Sequence, residues 1–371
     1  MSFSHTLLIY IRPLAVILLP VALLYVLIIF GSSSLHAQEE ISFQAREKAQ
    51  DSQEVIPIDT LTERIMFYNV ENAFWPLDDP EREDDEFTPG GGRHWSFNRL
   101  RTKLNHLTRV ILAAGGGRVP MLVGLAEVEG DSVMNYWLHR TPLHRTGYRY
   151  LVTSGPDVRG IQIGLLYHPS SFRLLHHESY EVQMPEGERP TRPLLHAAGR
   201  IITGDTIDVI VVHQPSRLGG VLQTQAKRDA ARTTLFHVAD SISAIRLHPY
   251  IIMMGDMNEN PRSYVMKENQ VPFVNLMHPI YQHMQHTPSA VGTHKYQGEW
   301  SLIDHFIVHP DLLKDDSPLR LKDPRIVCLP FMMTEDATHQ GDRPYRSYYG
   351  YRYEGGYSDH LPIIVDLKFA F

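Results

Sequence analysis

Four apolar runs in this chain each end in a cluster of carboxylates, amides or imidazoles, and that repetition limits the possible folds more than any other feature. "YIIMMGDMNENP", Tyr250 to Pro261, runs five apolar residues straight into Gly255, Asp256, Asn258, Glu259 and Asn260. "RIMFYNVEN" delivers Asn69, Glu71 and Asn72, and "MLVGLAEVEG" delivers Glu127 and Glu129. "VIVVHQPSR" delivers His213, Gln214, Ser216 and Arg217. One such ending is a turn, because Gly, Asp, Asn and Pro are the usual turn residues. Four are hard to explain as independent turns. In α/β folds ligands gather outside the carboxyl ends of strands, where loops converge on one crevice.

Short runs of Ile, Val, Leu and aromatics predict strands at Arg64–Asn69, Met121–Ala126, Gly160–Tyr167, Asp208–Val212, Tyr250–Met254, Leu302–Val308 and Leu361–Phe369. Two helical patterns stand between them. Ser96 or Asn98 caps the first, which carries Leu100, Leu104, Leu107 and Ile111 on one face and stops at Gly115. The second runs from about Leu222 to Ile245, with Ala226, Ala230, Val238, Ile242 and Ile245 at helical spacing. Strands mixed with helices over this length predict a layered α/β or α+β domain over residues 62–371. No internal boundary or repeat interrupts it.

Ahead of that domain, residues 1–37 hold one charged side chain, Arg12, and the apolar run Ala15 to Phe30, followed by "GSSSLHAQEE". This predicts a signal peptide cleaved after Ala37, with an uncleaved signal anchor as the alternative, and residues 38–61 as a polar linker. Either way the domain is exported, to the periplasm or beyond, and the amino-terminal segment engages the membrane or the export machinery. Cys328 is the only cysteine, so no disulfide forms within the chain and no cysteine-based zinc site exists. Stability must come from a large packed core. The net charge of −7 is no footprint for wrapping long duplex nucleic acid, yet it leaves room for gripping one phosphate through a metal ion.

Several chemistries are disfavoured by what is missing. Gly90–Gly92 and Gly115–Gly117 lack the Lys-Ser or Lys-Thr and the strand–Gly–helix context of a phosphate loop. The 21 histidines form no His-Glu-x-x-His, and no Gly-x-Ser-x-Gly elbow is present. Two further segments join the strand endings instead. "LIDHFIV" buries Asp304 and His305 in an apolar strand, where an unpaired carboxylate costs several kcal/mol. "GYSDHLPIIV" sets Asp359 and His360 just before the last strand.

The ordered set "NVEN", "LAEVE", "RGIQIGLLY", "VHQPSR", "GDMN", "IDHFIV" and "SDHLP" resembles the endonuclease/exonuclease/phosphatase superfamily over about residues 63–371. The resemblance implies a four-layered sandwich, two mixed β-sheets packed face to face with helices outside. It also implies a divalent-metal phosphoesterase using magnesium (Mg2+) or manganese, with Glu127, Asn69 and Asp359 as metal ligands. Asp256 then takes the general-base role, Asn258 positions a phosphate oxygen, and a charged His360 paired with Asp304 donates to the scissile phosphate. An alternative makes His360 the base and His213 the acid for the leaving oxygen. Arg159 matches a position that holds the substrate phosphate. His305 and His309 are expected to pack rather than ligate. The chemistry is consistent with these residue types: a phosphodiester repels hydroxide, and a hard cation held by oxygen ligands offsets that.

His213 is similar to the DNase I-like members and tilts the reading towards a general phosphodiesterase, with nucleic acid the expected substrate and a monomer the expected state. Pro215, Ser216 and Arg217 depart from the pattern of several branches. A lipid phosphodiester, as in sphingomyelinases, or another small phosphoester is the alternative on the same fold. An exposed apolar loop would favour the lipid, and none stands out in the sequence. A membrane-tethered binding module without catalysis is the third reading. Two segments lie outside the shared motifs. Pro76 to Trp95 carries seven carboxylates between Asp78 and Glu86, a solvated loop or a calcium-stabilised insertion. Arg343 to His360 carries six tyrosines and three arginines, either packing the loop or stacking on bases of a single strand.

Overall fold

The computed structural model describes residues 61–263 and 273–369. The expected signal segment, and the linker up to residue 60, lie outside the described residues. Two six-stranded mixed sheets form the centre of the fold. The first contains β1 (Thr62–Ala73), β2 (Leu122–Val128), β3 (Arg149–Val152), β4 (Gln162–Tyr167), β13 (Leu319–Ile326) and β18 (Ile363–Phe369), in the order β13-β18-β1-β2-β4-β3. The second contains β5 (Arg173–Tyr180), β6 (Leu194–Arg200), β7 (Thr206–His213), β8 (Tyr250–Asp256), β9 (Val274–Asn275) and β12 (Asp304–Val308), in the order β5-β6-β7-β8-β12-β9. Small hairpins are made by β10 (His294–Tyr296) with β11 (Glu299–Ser301), β14 (Met333–Glu335) with β15 (Asp342–Pro344), and β16 (Tyr348–Tyr349) with β17 (Arg352–Tyr353). The helices are α1 (Phe97–Ala114), α2 (Gly130–Arg140), α3 (Gln225–Ile245) and α4 (His278–His286).

Strand alternation builds the layers. Ile65 and Phe67 of β1 face Ile252 and Met254 of β8 in a core between the sheets, while Met66 and Tyr68 pack outward with Leu100 and Leu104 of α1. On the far side Ile251 and Met253 pack with Leu235 and Val238 of α3. The result is the four-layered sandwich expected above. The sheets approach so closely that a Cβ on Gly124 would meet the Met254 methyl at 2.8 Å and push that side chain aside.

Each sheet places one parallel pair in its middle, β1 with β2 and β7 with β8, and its other pairs are antiparallel. The carboxyl ends of those four strands are the four polar endings seen in the sequence. Ser96 caps α1 as expected, with its Oγ accepting from Arg99 N at 3.4 Å. In α3 the expected face holds at Val238 and Ile242 and fails at Ala226 and Ile245. Ala231, Leu235, Val238, Ala239 and Ile242 are buried, whereas Ile245 is 76% exposed.

Candidate active site

Local backbone distortion aims the site residues. The β1–β2 register breaks between Asn69 and Ala73, and the β2–β4 register breaks between Ala126 and Val128. Bulges of this kind re-aim side chains beside functional sites. Glu71, Asn72, Glu127 and Asn258 all have positive φ, between 50° and 67°. Such conformations cost on the order of 1–3 kcal/mol each and persist only where the surroundings impose them.

Asn69, His213, Asp256, Asp304 and His360 are buried together. His360 Nδ1 lies 2.8 Å from Asp304 Oδ2, and its Nε2 lies 3.7 Å from Asp256 Oδ2. Asp304 and Asp256 stand directly opposite each other in the β12–β8 ladder. The Asn69 amide nitrogen donates to Glu127 Oε1 at 3.2 Å and Asp256 Oδ2 at 3.1 Å, while its oxygen accepts from Glu71 N. His213 Nε2 lies 3.6 Å from Asp256 Oδ2 and 3.9 Å from Glu127 Oε1. Asn258 N donates to Asp256 Oδ1 at 2.8 Å, but its side-chain amide is spent on the Gln214 carbonyl. Arg159 is exposed on the adjoining loop, and its charge reaches His213.

Burial raises the Asp256 carboxyl to about 7; the nearby Asp304 charge adds to that and the His360 charge opposes it. For His360 burial works downward, but Asp304, Asp256 and Asp359 together hold the imidazole well above its ordinary value. His213 goes the other way, depressed by burial and by Arg192, Arg159 and His360. Asp359 is brought down to about 2 against its burial, chiefly by Arg346, whose Nη2 lies 2.8 Å from its Oδ2.

Sequence reasoning missed a buried polar network beneath these groups. Glu71 accepts from Arg346 Nε at 3.0 Å and from Ser347 N at 2.7 Å, with Lys103 Nζ at 3.8 Å. Arg192 Nε and Nη2 donate to the His213 and Gln214 carbonyls, fixing the end of β7. His294, lowered by burial to about 4, lies with its ring centre 4.9 Å from that of His360. A Lys or Arg in a helix or loop reads as a surface residue, and only the isolated charge in "NVEN" hinted that a partner was needed.

Other polar endings turn out structural. Glu259 binds Arg228 at 2.8 Å, Asn260 accepts from Leu302 N, and Glu129 accepts from Trp75 N. His305 and His309 pack and cap, as expected. Among the described residues, the acidic loop holds no group of three His, Cys, Asp or Glu close enough to share an ion; Asp256, Asp304 and His360 are the one such group. Instead Glu83 binds Arg189 and Glu86 binds Arg93. The tyrosine-rich segment divides: Tyr348 and Tyr357 are buried, and Tyr351 is 66% exposed. The loop after β7 corrects a second expectation, since Leu218, Val221 and Leu222 stand 89%, 52% and 83% exposed.

The chain belongs to the endonuclease/exonuclease/phosphatase family, whose model matches residues 64–369. That family comprises hydrolases of phosphoester bonds that use divalent metals, and a buried acidic and histidine cluster is present here. No curated protein sequence matches the chain. Among solved structures it is similar to a family protein from Bacteroides thetaiotaomicron, at 14% identity and TM-score 0.51 over 84% of this chain and 99% of that one. TDP2 from C. elegans aligns at 13% identity and TM-score 0.52, over 88% and 80% of the two chains. D. rerio TDP2 complexed with single-strand DNA product aligns at 15% identity and TM-score 0.50, over 82% and 98%. At these identities the likeness is one of fold.

Proposed function

We propose that this protein is an exported, divalent-metal-dependent phosphodiesterase that cleaves nucleic-acid strands by attack of water. The observation that carries the reading is the buried meeting of Asp256, Asp304 and His360 with Asn69, Glu127 and His213, drawn from the central strands of both sheets and the segment before β18. The charges fit a cation. Glu71, Glu127, Asp256, Asp304 and Asp359 gather in one place, oxygen ligands of the kind a hard cation takes, with Lys103, Arg346 and His360 beside them. Buried polar atoms there also lack partners, including Asn72 Oδ1, Asp304 Oδ1 and His213 Nδ1.

Glu127, Asn69 and Asp359 would hold the ion. The Asp256, Asp304 and His360 trio suits it less, because His360 is already bonded to Asp304 and, protonated, has no lone pair to offer. Bound in such a site, a divalent cation stabilises charge on a phosphoryl oxygen and lowers the pKa of water. The remaining work falls to side chains. Asp256, titrating near neutrality, suits the base that takes the proton of water. His360, kept charged by Asp304, donates to the phosphate, and Arg159 holds it from the rim. His213, kept neutral, does not suit the acid role, which favours this assignment over the alternative. Asn258 supports Asp256 through its backbone N–H.

One observation favours a second reading, hydrolysis of a lipid phosphodiester: the exposed Leu218, Val221 and Leu222 follow directly on the His213 to Arg217 segment. Assaying the purified protein on single-stranded DNA, RNA, inositol phosphates and sphingomyelin vesicles separates the two. Cleavage of DNA or RNA is expected; turnover of vesicles alone would replace the first reading with the second. For export, the mature amino terminus is expected at Gln38 by mass spectrometry, and an intact Met1 in the membrane fraction would indicate an anchor.

A further inference from the structure

A cavity of about 270 Å³ lies beside Asp359, its lining including Lys295, Tyr296, His339, Arg343, Arg346 and Tyr349. Both segments that build it are clamped to the candidate site. The β10–β11 hairpin starts at His294, whose backbone bridges to His360, and Leu361 N donates to Thr293 O. Tyr296 and Glu299 then close a two-residue turn in which Gln297 and Gly298 have φ of 48° and 86°. Positive φ at both positions is the geometry of a tight type I′ hairpin. The tip is packed as well: a Cβ on Gly298 would meet the His339 ring at 3.1 Å. On the other wall Arg346 is pinned between Glu71 and Asp359. Three residues on, Tyr349 carries the Arg343 guanidinium over its ring at 4.8 Å and shares a hydrogen bond with Thr338 at 3.2 Å.

The charges decide what such a cavity takes. Its cations are all paired: Lys295 with Asp336 at 3.0 Å, Arg343 with Glu354 at 2.9 Å, and Arg346 with Glu71 and Asp359. A phosphate would have to break one of those pairs. A quaternary ammonium would need an open cage of aromatic faces, and Arg343 already sits on that of Tyr349. What remains is the Tyr296 ring, 66% exposed, since Tyr349 already carries Arg343. That surface suits a flat, neutral ring. The volume falls just below the range of about 300–1,000 Å³ for drug-sized ligands, and so fits one ring system.

We propose that this cavity is a nucleobase subsite, which takes one unpaired base of a single strand beside the scissile phosphodiester, with Tyr296 as its stacking face. The proposal deepens the phosphodiesterase reading and rests on it. A base within a duplex has both faces covered, so the subsite selects single-stranded or unstacked substrate.

The test compares kcat/KM for the full chain and its Tyr296→Ala and Tyr296→Phe variants on two single-stranded oligonucleotides of one length, one with bases and one abasic throughout. The wild type is expected to favour the base-bearing strand by about 5- to 160-fold, the range for one stacked base. Tyr296→Ala should remove most of that preference, and Tyr296→Phe should keep it. Equal rates on both strands in the wild type, or a preference that survives Tyr296→Ala, overturns the subsite. Fluorescence anisotropy repeats the comparison without cleavage. Base-dependent binding that needs Tyr296, with neither strand cleaved, would refute the catalytic reading and leave the subsite standing. Equal binding of both strands overturns the subsite as well.

Discussion

Replacing Asp304 separates its charge from its shape. The residue is buried, its Oδ2 bonds His360 Nδ1 at 2.8 Å, and its Oδ1 has no hydrogen-bond partner. Asp304→Asn keeps the volume and one acceptor, so a charge-assisted bond worth about 1.5–3 kcal/mol becomes a neutral one worth about 0.5–1.5 kcal/mol. The new amide group lands where Oδ1 has no partner, which adds to the cost. Relief works against both effects, because Asp304 faces Asp256 across the ladder and helps to raise it to about 7. The net destabilisation expected for Asn is therefore about 1–2 kcal/mol. Asp304→Ala leaves a buried imidazolium without its partner and is expected to cost about 3–5 kcal/mol. Urea unfolding at pH 7, followed by tryptophan fluorescence, reads both values. Turnover on an oligonucleotide should fall at least about a hundredfold in either variant, the scale of a lost acid or base. A fully active Asp304→Asn protein would refute the requirement for a charged His360. Equal destabilisation by Asn and Ala would show that the hydrogen bond contributes nothing beyond the charge.

Two structural expectations can be checked away from the chemistry. Tyr348→Ala should cost about 3–5 kcal/mol, because its ring is buried against Trp95 and Tyr353, whereas Tyr351→Ala should cost about 1 kcal/mol or less; similar midpoints would contradict this division. Asp208 is buried, and despite burial its carboxyl is held below the ordinary range by Arg246 at 2.7 Å and His196 at 2.9 Å. Its folded pKa is thus below the unfolded value of about 3.9, so its stabilisation is present above about pH 4 and disappears as pH falls through the folded pKa. Asp208→Asn should destabilise by about 2–4 kcal/mol at pH 7 and progressively less towards pH 3; a gap that stays constant would refute the sign.

Much of the architecture was legible because its central strands are buried on both faces and read as continuous apolar runs. β4 and β8 are buried along their whole length. Strands facing solvent carry no such signal. β5, "RLLHHESY", is mostly exposed at a sheet edge, and β13 contains Pro324 at a register shift on another edge. Within the site, a carboxylate inside "LIDHFIV" signals that it needs a partner, and the family resemblance supplied His360 as that partner. The Glu71, Arg346 and Lys103 network could not be paired from the sequence, because its members lie up to 275 positions apart and two of them look like surface cations. Exposure was equally hidden. Leu218 and Leu222 read as ordinary apolar residues, and only the loop after β7, where Gly219 and Gly220 have φ of 94° and 117°, leaves them in solvent.

The central claim is that these strand ends assemble a metal-dependent phosphoesterase around Glu127, and a magnesium titration of oligonucleotide hydrolysis tests it most directly. EDTA should abolish cleavage by the wild type, and magnesium or manganese should restore it. Glu127→Gln should need at least about tenfold more metal for half-maximal rate, the scale of a weakened coordination sphere. Full hydrolysis in EDTA, or an unchanged metal requirement in Glu127→Gln, would contradict the account.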